Sequence, residues 1–157
     1  MHADSYTGPM AGLPDPERDR QFYEGVPLRR FIAWCIDVAI ILLVGVPLAI
    51  LFGLVTLGLG FAIFPLVVAG VGFLYRTATL AGSSATWGMR FTGIEFRRGD
   101  GTQFDFMTAL LHTTIYMICI SVVVLQAISC VSIIGSRYRQ SLGDMILGTT
   151  AINRPAD

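Results

Sequence analysis

Four side chains are out of place in so apolar a chain: Arg30, Asp37, His112 and Asp144. A carboxylate inside a membrane helix costs roughly 2.5–3.5 kcal/mol on insertion scales, so it persists where it has a partner or meets water. Two chemistries fit Asp37. One is proton or ion coordination on a transport path. The other is a satisfied network that locks helices together. Arg30 and Asp37 lie two turns apart on nearly one helical face, a polar seam running inward. The expected partners of Asp37 are His112 and the hydroxyls of Thr113 and Thr114. Arg30 and Asp144 are expected within salt-bridge range of each other. Catalysis has little support, because no GxSxG, HExxH, P-loop or dinucleotide glycine pattern is present. The three cysteines, Cys35, Cys119 and Cys130, sit in apolar runs without CxxC spacing. They read as small buried hydrophobes, and no metal or cofactor is expected.

The elements that hold these residues are set by hydropathy. The chain has 157 residues, 54% apolar and 14% charged, with net charge zero. Ordinary soluble domains carry roughly 25% charged residues, and a neutral chain gives no field for nucleic acid. No charge occurs from Val38 to Tyr75. One helix of that length would measure about 57 Å, nearly twice a ~30 Å hydrocarbon core. The run must break and return, and the glycine-dense stretch Gly53 to Gly60 is where it does so. The expected spans are 31–53 and 58–76. Pro47 and Pro65 fall inside them, which membrane helices tolerate. A soluble helical hairpin would show a polar face, and these segments show none. A second uncharged run, Phe106 to Ser136, is long for one span and short for two.

Residues 77–105 change character. Ser83, Ser84 and Thr86 offer helix caps. Trp87, Phe91 and Ile94 then follow at helical spacing beside Arg90, as in a small helix lying in the membrane interface. Ile94–Arg98 alternates like a strand, and Asp100-Gly101 marks a tight turn. A weak internal repeat links this stretch to the C-terminus. Thr86-Trp-Gly88, four residues, Gly93 and a strand-like tail match Ser141-Leu-Gly143, four residues, Gly148 and a second tail. The two tails, Ile94–Arg97 and Thr149–Asn153, are expected to pair as a short sheet. All eleven basic residues are Arg. They cluster before the first span, after the second and after residue 136, and basic loops mark the cytoplasmic side. Residues 106–136 would then enter and return as a re-entrant pair, with one tilted span as the alternative.

Three motifs in order resemble the RDD family, named for one Arg and two Asp. Arg30-Phe-Ile-Ala33-Trp-Cys-Ile-Asp37 is similar to its opening. Thr86-Trp-Gly88-Met-Arg90-Phe-Thr-Gly93-Ile is similar to its loop motif. Arg139-Gln-Ser141-Leu-Gly143-Asp144-Met-Ile-Leu-Gly148-Thr149 resembles its closing motif, with Asp144 the second Asp. His112 stands where that family often has an Arg, and Met89 separates the loop glycine from Arg90. The resemblance implies a bacterial or archaeal membrane protein for which transport has been suggested. The resulting expectation is an all-α membrane protein with three to four membrane-embedded helices, a small cytoplasmic interfacial helix and a short β element. Residues 1–24 form a disordered cytoplasmic tail, 25–154 an RDD-like membrane domain, and 155–157 a second tail. The chain would lie in the cell (inner) membrane, multi-pass, with its N-terminus cytoplasmic. Its function is either an oligomeric transporter or ion-exchange component using Asp37, or a non-transporting accessory or assembly protein. Its partners would be the lipid bilayer and a second copy or another membrane protein, with no nucleic acid.

Overall fold

The computed structural model describes residues 10–154. Helix α1, Val26–Val55, starts after Gly25, whose left-handed backbone turns the chain in, and carries Pro27 in its first turn. It ends in the glycine-rich break, and a 3-10 turn at Leu59–Ile63 leads into α2, Phe64–Ser83. Helix α1 runs past the expected 31–53 at both ends, and α2 starts later than the expected 58–76 and continues beyond its end to Ser83. Hydropathy marks where charges stop, whereas the helices extend into polar surroundings where other elements cover them. By length and composition both can cross a membrane. They pack on each other through small residues, Gly45 against Val68 and Gly72 against Ile41, the usual route to close helix contact in lipid. Their outer faces, including Leu43, Val55, Leu66 and Leu74, are exposed apolar surface.

Helix α3, Trp87–Thr92, is followed by strand β1, Ile94–Arg98. Helix α4, Phe106–Ser121, is capped by Asp105, whose carboxylate accepts from the Thr108 amide. At Val122 the chain bends by 117° into α5, Val123–Gly135. Helix α6, Leu142–Leu147, and strand β2, Thr149–Asn153, complete the fold. The strands pair antiparallel from Ile94 opposite Asn153 to Arg98 opposite Thr149. Since β1 precedes α4 and β2 follows α5 and α6, both ends of the α4–α5 segment lie at the sheet. The segment therefore goes out and comes back. At about 24 Å and 20 Å, its two arms are shorter than a ~30 Å hydrocarbon core.

The densest core lies around the sheet and not among the long helices. Val26, Leu80, Ile94, Phe96, Phe104, Ala109 and Ala151 form it. Ser84 ties three elements together there: its carbonyl accepts from the Phe96 amide and its hydroxyl from the Phe104 amide. Ile94, expected on the interfacial helix, belongs to this core, while Trp87 and Phe91 are exposed as an interfacial face requires. The expected disordered tail differs in its described part. Gly12 donates its amide to the Gly99 carbonyl. Tyr23 is buried and donates its hydroxyl to the Pro14 carbonyl. Asn153 donates to the carbonyls of Gln21 and Glu24. Residues 10–24 thus gain partners on the sheet that their composition does not reveal; 1–9 and the short tail 155–157 lie outside the described residues. Among the cysteines only Cys119 is buried; Cys35 and Cys130 are exposed.

Candidate functional site

Asp37 is 2% exposed, and both oxygens of its carboxylate accept from fixed donors. Tyr75 donates its hydroxyl to Oδ1 at 2.7 Å and the Gly88 amide donates to the same oxygen at 2.9 Å. The Thr86 hydroxyl donates to Oδ2 at 2.6 Å. Thr86 also caps α3 by accepting the Met89 amide, and the Tyr75 oxygen accepts the Trp87 amide. Asp37 therefore closes the N-terminus of α3 from outside that helix, where free amides favour negative charge. Gly88 permits this approach. A Cβ there would lie 2.2 Å from the Ala33 carbonyl oxygen and 2.8 Å from Asp37 Oδ1. Ala33 and Gly88 are the paired small residues that let α1 and α3 touch.

The contact also resets the depth of Asp37. Helix α3 covers α1 at the level of Ala33 and Asp37, so the uncovered part begins at Val38. From there to Val55 the rise is about 27 Å, close to one hydrocarbon thickness. Asp37 marks the boundary of the apolar length and does not lie at its middle.

Asp144 is the second centre, and it is fully buried. Arg30 Nη2 meets Oδ2 at 2.7 Å, and His112 Nε2 meets Oδ1 at 2.8 Å. The Ser141 amide donates to Oδ2 at 2.9 Å and the Thr149 hydroxyl to Oδ1 at 3.2 Å. Ser141 Oγ accepts the Asp144 amide in return, a capping box. Arg30 also donates to the Arg139 carbonyl and lies over the Phe96 ring. The Asp144 carboxyl is held well below the usual carboxylate range. Burial opposes ionisation, but the Arg30 charge, the His112 bond and the Ser141 amide outweigh it.

The expected approach of Arg30 to Asp144 is present. The expected partnership of Asp37 with the third segment is not: His112 bonds Asp144, Thr114 bonds back to the Leu110 carbonyl, and Thr113 Oγ1 has no partner among the described residues. Helix α4 approaches α6, so its polar residue meets the C-terminal motif. The real ligands of Asp37, Tyr75 and Gly88, are ordinary residues whose roles depend on the return of α2 and on α3. Thr86 was legible only as a cap. Arg76, read from sequence as a loop charge, is buried in α2, 3.9 Å from Asp37 Oδ2 and 4.0 Å above the Tyr116 ring.

The repeat is physical. Thr86 and Ser141 both cap six-residue helices from extended backbone, and Gly93 and Gly148 both close them in left-handed conformation. The offset that carries Gly88 to Gly143 carries Phe96 to Ala151, the central pair of the ladder. The two motifs are thus related by a local two-fold axis, and a buried carboxylate lies at the start of each short helix: Asp37, supplied by α1, at α3, and Asp144, within the motif itself, at α6. Gly143 is looser than its counterpart, with Ile115 Cγ2 3.4 Å from an added Cβ. No group of three or more potential metal ligands occurs among the described residues. A cavity of about 600 Å³ lies between α1, α4 and α5, with Arg30, Asp37, Arg76 and His112 at its polar end.

Compared with known proteins, residues 25–148 match the model of the RDD family. No match was found among curated proteins or among solved structures.

Proposed function

Since the chain belongs to the RDD family, we propose that it is a non-enzymatic accessory or assembly module of the cell membrane, in which Arg30, Asp37 and Asp144 fasten the sheet end of the molecule to its helices. The observation that supports this reading is the engagement of both Asp37 oxygens by fixed donors. A carboxylate that exchanges ions or protons must release its ligands at each cycle. Asp37 accepts two hydroxyls and one amide, each from an element that would move with it. The basic residues Arg29, Arg90, Arg97 and Arg98 gather at the sheet end, which in this reading faces the cytoplasm together with the N-terminus. Exposed Leu28, Phe31, Trp87, Phe91, Phe106 and Ile146 surround that end and suit the headgroup region of the bilayer. The partner of such a module is another membrane protein or a second copy of the chain.

The test is proton and cation flux in proteoliposomes, wild type against Asp37→Asn. The expected result is flux at the level of empty vesicles for both proteins, with a lower melting temperature for Asp37→Asn. Flux by the wild type that disappears in a folded, correctly inserted Asp37→Asn protein would replace this reading with ion exchange through Asp37.

A further inference from the structure

Arg76 is a buried cation that the network leaves underused. Its residue is 7% exposed, yet no hydrogen bond from its guanidinium is found among the described residues, and its Nε is buried without a partner. Asp37 stands 3.9 Å away, beyond hydrogen-bond distance, with both oxygens already occupied. The face of the guanidinium rests on Tyr116, which leaves the in-plane N–H groups as the free donors. A buried donor without an acceptor is costly, and a guanidinium that has lost its water more so. Arg76 also lines the cavity between α1, α4 and α5.

Beyond the polar end, where Arg30, Asp37 and His112 join Arg76, the lining is mainly apolar, with Gln126, Ser129 and Ser141 as its polar members. Cys119 and Ile120 of α4, and Cys130, Ile133 and Ile134 of α5, form an apolar wall. Its rim includes the exposed side chains of Phe31 and Ile134, so it opens sideways onto the apolar outer surface. Trp34 of α1 bonds the Tyr116 hydroxyl across it at 2.9 Å. A cation at the inner end and an apolar channel leading outward fit an amphiphile with an anionic head. A guanidinium offers pairs of parallel N–H donors, the fork that matches the two oxygens of a carboxylate. A volume of about 600 Å³ falls within the range of single small-ligand pockets.

We propose that this cavity binds a single-chain anionic amphiphile, a long-chain fatty acid, entering from the bilayer with its carboxylate on Arg76 and its chain along α4 and α5. The assignment goes beyond the accessory reading and does not depend on it, because binding is measured on purified protein without a membrane gradient.

The experiment is equilibrium binding of radiolabelled palmitate at pH 8 to the full chain in a non-ionic detergent, with empty micelles subtracted. Binding is expected to saturate at one palmitate per chain. Palmitate methyl ester, which lacks the charge, should compete at least about tenfold more weakly, the scale of one charge-assisted hydrogen-bond pair. Arg76→Gln should lose affinity by a similar factor, and Cys130→Trp, which fills the apolar wall from an exposed position, should also lose it. Arg137→Gln, outside the cavity, should bind as the wild type. Should Arg76→Gln fail to fold, the ester competition and Cys130→Trp decide the matter. Equal binding of ester and acid, undiminished binding by folded Arg76→Gln, or no saturable binding would overturn the proposal. Displacement of palmitate by an equal amount of phosphatidylglycerol would overturn the single-chain assignment and give the site to a phospholipid.

Discussion

At the scale of single residues, the two carboxylates differ in what they can lose. Asp37 accepts only from neutral donors and has a distant cation, so Asp37→Asn turns one accepting oxygen into a donor facing donors. Charged hydrogen bonds contribute about 1.5–3 kcal/mol, and a loss of that size should appear in thermal melts of the detergent-purified protein. Asp144 is tied to Arg30 and His112 as well as to its own cap. Removing one partner of a buried ion pair costs about 3–5 kcal/mol, so Arg30→Ala should lower folded yield sharply. A cycle with Arg30→Ala, Asp144→Asn and the double variant should show coupling between the two sites. Exchanging the charges, Arg30→Asp with Asp144→Arg, should not restore stability. An arginine at 144 cannot accept from Ser141, His112 and Thr149, all of which donate to Asp144. Acid provides an independent measurement. The folded pKa of Asp144 is depressed, so its stabilisation is complete at neutral pH. It should decline as pH falls below the ordinary carboxylate value of about 4 towards the folded value. A melting temperature that stays level from pH 6 down to pH 3 in both wild type and Asp144→Asn would contradict this.

At the scale of elements, the local two-fold axis supplies its own control. Gly88 and Gly143 are equivalent in the motif but differ in their surroundings. Gly88→Ala puts a methyl group into the Ala33 carbonyl and should cost at least the ~1–3 kcal/mol typical of overpacking. Gly143→Ala meets only a side-chain methyl at 3.4 Å and should be mild. Comparable losses in the two melts would mean that the α1–α3 contact is not the tight point. Much of this layer was legible from sequence. The spacing of hydroxyl, Gly, four residues and Gly gives caps, short helices and strand starts, all of which are local chemistry. The partners of Asp37 were not legible, because Tyr75 and Thr86 reach it only after α2 has returned. Periodicity reports which face is apolar, not which neighbour arrives there. Arg76 misled for a related reason: a charge just past an apolar run resembles a loop residue when the helix that continues through it is invisible.

At the scale of the molecule, the return of α4 and α5 has a topological consequence. Since β1 and β2 are hydrogen-bonded partners, the segments beside them must share one side of the membrane. Reporter fusions at Asp100 and at the C-terminus should give the same sidedness, and opposite sidedness would exclude the paired sheet in the membrane-inserted protein. The arginine distribution leads to the same expectation, although each element by itself is ambiguous. A 31-residue apolar run is compatible with one span or a return, and the choice was made by charges outside it. The bend at Val122 has no proline or glycine to announce it. The Val122 amide bonds the Cys119 carbonyl as the chain leaves α4, and nothing in its side chain marks the place.

The antiparallel ladder joins residues made earlier to residues made much later. During synthesis, which runs from the N-terminus, β1 emerges long before β2. Until β2 arrives, Ile94 to Arg98 present an unpaired edge, and Asn153 has not yet reached the carbonyls of Gln21 and Glu24. Strand β2 therefore acts as a clasp on the helices made before it. A nascent chain halted after Leu147 should be inserted yet open to protease between α3 and α4, whereas one extended through Asn153 should resist cleavage there. Protease protection of that loop would thus report the arrival of β2, independently of any activity.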